Sequence, residues 1–155
     1  MSIRPGERIA IDGNHIHERL DTTNHRLRSN QELDRRYTLM SRFYSRSLQF
    51  DPSEEKFLLQ WTCLEIFPMC GTSDIAPLVA YLSEIVGKPT NVVKEQLQIG
   101  HLNGIRSKLV HDGILQTKDQ HLLFKRLELI VHAVIRSMCR LPYDGSLDQY
   151  FSSES

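Results

Sequence analysis

The sequence has little of what most catalytic machinery is built from. Three cysteines, Cys63, Cys70 and Cys139, form no CxxC pair and leave one thiol over. That count argues against a disulfide framework or a zinc ribbon and fits a reducing compartment. No apolar run approaches the length that spans a bilayer, and the opening MSIRPGERIAIDG carries charges where a signal peptide carries its apolar centre. The expectation is a cytoplasmic protein without membrane contact. There is no Gly-rich phosphate loop, no GxSxG elbow and no internal repeat, and nothing suggests a dinucleotide fold. Net charge is also lacking, with 19 basic residues against 19 acidic ones, so no overall field draws the chain to a polyanion. Any such site must be local. The charge is unevenly spread: residues 1–50 hold nine arginines and six acids, and residues 143–155 hold three acids and no base.

What the sequence does have is helical periodicity, in a chain of 155 residues that suits one domain with a sizeable core. The spacing predicts an all-α bundle of about five helices over residues 30–141. An N-terminal arm over 1–29 precedes it, partly irregular, with one short strand at most around Ile9 and Ile11. An acidic tail over 142–155 follows, read as loosely held. His15, His17 and His25 in the arm offer an HxH pattern without a third placed ligand, which reads as a solvated segment and not as a metal site.

Along the bundle, Leu33, Tyr37, Met40, Tyr44 and Leu48 form one stripe of a helix over Gln31–Phe50, opposite Arg35, Arg42 and Arg46. Those arginines read as the wet face of the helix, with phosphate tracking as the alternative. Asp51-Pro52-Ser53-Glu54 reads as a helix start with Asp51 as N-cap, and Pro68 stops that helix. A third helix is expected over Ser73–Val86, capped by Ser73 and closed by Gly87, with Ile75, Leu78, Val79, Leu82, Ile85 and Val86 as core. A fourth, read as continuous, covers Asn91–His111. Its main apolar arc is Ile99, Leu102, Ile105, Leu109 and Val110. A second stripe, Val93, Leu97, Gly100, Gly104 and His111, suits either a subunit contact or close packing inside one chain. The last helix covers Asp119–Arg140. Its core stripe is Leu123, Leu127, Ile130, Val131, Val134 and Met138, opposed by Lys125, Glu128, His132 and Arg136. A lesser stripe of Leu122, Leu129 and Ala133 suits a second subunit.

Two charges fall on core faces. At about 100° per residue, Glu65 shares an arc with Phe57, Leu58, Trp61 and Leu64, and Arg106 lies inside the arc of the later helix. Burying either alone costs too much, so each calls for a partner, and the two are natural counterparts on separate helices. A structural salt bridge explains such a pair as well as a functional one does. Five positions after Arg106 comes His111, in a final helical turn before Asp112-Gly113, where the exposed carbonyls favour a cation. The bland reading makes His111 a favourable C-terminal charge. On a straight helix it lies about 140° round from Arg106 and about 7.5 Å along the axis, so the two do not share one face, although a long arginine and a bend at Asp112-Gly113 would let them meet in a cleft.

The aromatic-acidic FLLQWTCLEIF on one helix and IRSKLVHDG at the end of another together resemble the HEPN superfamily, and most closely its Apea-like branch. Phe57, Trp61 and Glu65 match the first part of that family's pattern; Arg106 and His111, with four residues between them, match the second. The resemblance covers roughly residues 30–140 and implies a helical bundle that commonly dimerises, so that two Arg/His motifs share one cleft. It also implies an RNA endonuclease needing neither metal nor cofactor, of the kind found in toxin–antitoxin systems or phage defence, with an antitoxin as possible partner. In that reading His111 is the acid/base group, Arg106 holds the scissile phosphate and Glu65 orients Arg106. Lys108 and Asp112 are further substrate-binding candidates. The family also contains members that bind partners or nucleotides without cleaving, so a non-catalytic module is the alternative. A thiol or metal enzyme built on Cys63, Cys70 or Cys139 is a third reading, disfavoured because the cysteines lie on or beside apolar faces.

Overall fold

The computed structural model describes the backbone of residues 13–113 and 118–151, and the side chains of residues 30–113 and 118–151. The possible strand at Ile9 and Ile11 and the side chains of His15, His17 and His25 lie outside the described residues. Six α-helices and a closing 3₁₀ turn account for most of the described chain, which contains no strand. The helices are α1 (Gly13–Ser47), α2 (Glu54–Ile66), α3 (Ala76–Val86), α4 (Thr90–Gln96), α5 (Ile99–Asp112) and α6 (Gln120–Met138), followed by the turn at Asp148–Tyr150. The chain divides into two units, Met1–Arg35 and Arg36–Ser155. In the first, α1 begins at Gly13, well before the expected Gln31, so much of the arm is helical. The second unit holds the core and everything described below.

In that unit Trp61, Phe57, Leu64, Leu102, Leu127 and Ile130 are almost wholly buried, and α2 packs against both α5 and α6. The end of α1 packs on α2. Met40 is buried, the Cys63 thiol donates to the Met40 carbonyl at 3.7 Å, and Tyr37 meets Phe67 edge-on with ring centroids 5.0 Å apart. Arg42 and Arg46 are exposed, as is Arg35 at the end of the first unit, and a wet face requires this. Leu48 departs from its stripe and is exposed, because α1 stops at Ser47, whose buried hydroxyl donates to the Tyr44 carbonyl at 2.7 Å.

The caps differ from expectation in detail. Ser53, not Asp51, caps α2: its backbone is extended and its hydroxyl accepts the Lys56 N–H at 3.2 Å. Helix α3 starts at Ala76 and not at Ser73, with the Asp74 carboxylate accepting the Ala76 N–H at 2.9 Å. Gly87 closes α3 in the left-handed region at φ 69°, as expected. Leu78, Val79 and Leu82 are buried, and Ile75, Ile85 and Val86 pack at the edge of the core.

Two larger differences concern the later chain. The expected single helix over Asn91–His111 is broken: Gln98 takes a left-handed conformation at φ 53°, separating α4 from α5. Arg126 of α6 holds that corner by donating to the Gln98 side-chain oxygen at 2.7 Å. The break undoes the proposed second stripe, since Val93 and Leu97 are fully buried while Gly100, Gly104 and His111 face outward. The acidic tail, read as loosely held, is docked over its described length. Leu147 and Phe151 are buried, Tyr143 and Tyr150 pack on the core, and Asp144 accepts from His132 at 3.1 Å and pairs with Arg136 at 3.6 Å. Lys88 lies over the Phe151 ring and Arg126 over that of Tyr150.

Candidate active site

Helix α2 carries Phe57, Trp61 and Glu65 at intervals of about one turn. The two aromatics are core residues, each 1% exposed, and they fix how α2 sits against α5 and α6. Glu65 is near the C-terminal end of the same helix, where its side chain is half-buried and not in the core as the helical phase alone suggested. On α5, Ile99, Leu102, Ile105 and Leu109 are buried and anchor the helix. Arg106 projects between that anchor and solvent.

The two charged groups meet. Arg106 Nη2 donates to Glu65 Oε2 at 3.5 Å, with 35% of the arginine side chain and 28% of the glutamate side chain exposed. The contact is single and long, which leaves most of the guanidinium's donors uncommitted. A half-exposed pair of this kind contributes roughly 0.2–1 kcal/mol to stability. It is a poor brace and leaves donors free for another partner.

His111 stands in the last turn of α5, exposed, ahead of Gly113, which closes the helix at φ 72°. Among the described residues its ring makes no hydrogen bond or ion pair. One chain therefore brings together Glu65 and Arg106 and leaves His111 apart from them on the rim. Lys108 and Asp112 are also exposed on α5. Val110, expected in the apolar arc, is 53% exposed. It lies at the arc's edge, in the final turn of α5.

On the outer side of α5, Gly100, Gly104 and His111 fall within about 40° of one another. A Cβ built on either glycine would meet nothing within 4 Å, so close packing inside the chain is not what those glycines serve among the described residues.

The thiols stand apart from this arrangement. Cys63 is buried, and burial pushes its thiol up to about 12, which removes it as a nucleophile near neutral pH. Cys70 and Cys139 are free and exposed. No group of three or more potential metal-ligating side chains occurs among the described residues. No described helix is long and apolar enough to cross a membrane. No family model, curated protein or solved structure matches the chain.

Proposed function

We propose that the protein is a metal-independent RNA endonuclease of the HEPN type, acting in the cytoplasm as a homodimer. The observation that carries this reading is the Glu65–Arg106 pair across α2 and α5, with its spare donors, on the helix whose last turn carries His111.

The chemistry asked of these groups is modest. RNA supplies its own nucleophile, the ribose 2′-hydroxyl, so the protein need only move protons and stabilise charge on the phosphorane. Arg106 holds the non-bridging phosphate oxygens, for which a planar guanidinium is well matched, and Glu65 sets its orientation. Lys108 adds positive charge nearby, and Asp112 contacts the substrate beside His111. Cleavage moves two protons, one off the 2′-oxygen and one onto the leaving 5′-oxygen. Each chain brings one His111, so two copies meeting across the open Gly100–Gly104 face would supply both groups. The bare backbone of that face and the exposed Val110 support such an approach. A chain with an exposed arginine–histidine site for RNA suits a toxin or a phage-defence effector, with an antitoxin as the partner that covers the site.

The non-catalytic module has one observation in its favour: His111 makes no hydrogen bond or ion pair with Arg106 or Glu65 within a single chain. The two readings separate on a labelled structured RNA incubated in EDTA. The endonuclease reading expects fragments ending in 2′,3′-cyclic phosphate, lost in Arg106→Ala. Intact RNA from a folded dimer, over several substrates, overturns it in favour of the module.

A further inference from the structure

A second site is suggested by a cavity between the first turns of α2 and α6, independent of the ribonuclease reading. It is lined by Pro52, Lys56, Phe57 and Gln60 on one side and by Phe124 and Glu128 on the other, with a volume of about 130 Å3. Gln120 Nε2 donates to Glu54 Oε1 at 3.1 Å beside it and ties the two helix starts together.

Four properties define what fits. The walls are aromatic: Phe57 and Phe124 stand with ring centroids 5.5 Å apart and planes inclined at 43°. The volume is close to the ~150 Å3 that admits a benzene ring. Gln60 is only 2% exposed, and its side-chain Nε2 has no hydrogen-bond partner among the described residues. A buried donor left open in this way is costly unless an acceptor completes it. The charge, finally, is unbalanced. Lys56 and Lys125, the latter also in the lining, both reach the single Glu128 carboxylate, at 3.6 and 3.8 Å, so the lining carries two ammonium groups and the His121 imidazole against one carboxylate. Lys56 is the one drawn inward, its side chain 13% exposed against 62% for Lys125.

We propose that this cavity binds a small planar anion, a single aromatic ring bearing a carboxylate. The ring lies against Pro52, Phe57 and Phe124. Nε2 of Gln60 has almost no accessible surface as the side chain stands, so the amide turns for one carboxylate oxygen to accept from it, and the charge is met by Lys56, which is shared with Glu128.

The test is a titration of the full chain with sodium benzoate, followed by amide chemical shifts, with benzamide and acetate as comparison probes. The proposal expects shifts clustered at residues 53–60 and 121–128, and binding of benzamide and acetate weaker by about tenfold or more, as loss of a charge-assisted hydrogen bond or of ring burial would cause. Gln60→Met and Lys56→Met should each weaken benzoate by about tenfold or more. Unliganded Gln60→Met, relieved of its unpaired donor, should melt no lower than the wild type, which separates a binding role from a structural one. No benzoate binding by the folded protein, equal binding of benzamide, or unchanged affinity in both variants would overturn the site and leave a cavity that holds only water.

Discussion

Arg106 and Glu65 illustrate how little a single ion pair contributes when water reaches both partners. With the side chains 35% and 28% exposed and one contact of 3.5 Å, Glu65→Gln should cost no more than ~1 kcal/mol of stability. The same change should slow RNA cleavage, because Arg106 loses the carboxylate that aims it. Chemical denaturation and a cleavage assay on one preparation check both statements; a loss of several kcal/mol would make the pair structural. The thiols offer a second check at this scale. Cys63, buried and pushed up to about 12, should resist alkylation at pH 8, where exposed Cys70 and Cys139 react. Thiol counting should therefore find two reactive groups in the native protein and all three after unfolding. Three fast thiols in the native state would contradict the burial described for α2.

Among the elements, α2 depends on its start as well as on its core. Ser53→Ala should cost about 1 kcal/mol by removing the bond to the Lys56 N–H, whereas Asp51→Ala should change little. Urea unfolding of the two variants side by side decides which residue is the cap. Both lie in one DPSE run, and the sequence left the choice to the backbone conformation, which it does not encode alone. The core stripes of α2 and α6 were legible because Phe57, Trp61, Leu64, Leu123, Leu127, Ile130, Val131 and Val134 repeat with the helical period, and all eight are buried. Arg106 and Glu65 were legible as counterparts for the same reason, although their half-exposure was not. The break at Gln98 was hidden. Neither glycine nor proline marks it, and the left-handed corner is held from a distance by Arg126. Once the chain turns there, the phase of α5 is reset, and no single helical projection of residues 91–111 places Gly100 and His111 correctly.

At the scale of the whole second unit, the chain after α6 closes the fold. Leu147 is fully buried, so Leu147→Ala should cost roughly 2–5 kcal/mol, a large share of the stability of a domain this size. The composition of that segment, acidic and rich in serine, masked the anchoring role of its few apolar side chains. Asp144 adds a pH dependence. Hydrogen bonding by Ser146, then by His132, holds its carboxyl down to about 2, below the ordinary 3.8. Its contribution is therefore present above about pH 4 and lost as the pH falls toward 2. Asp144→Asn should lower the unfolding midpoint at pH 6 and make little difference at pH 2; an equal effect at both would remove the carboxylate from the account. The proposed activity rests at last on His111, which is exposed and makes no hydrogen bond or ion pair among the described residues. The decisive measurement compares wild type and His111→Ala on one labelled RNA in EDTA, with the unfolding midpoint of each recorded alongside. The account predicts equal midpoints and cleavage by the wild type alone. Cleavage that persists in His111→Ala would contradict it.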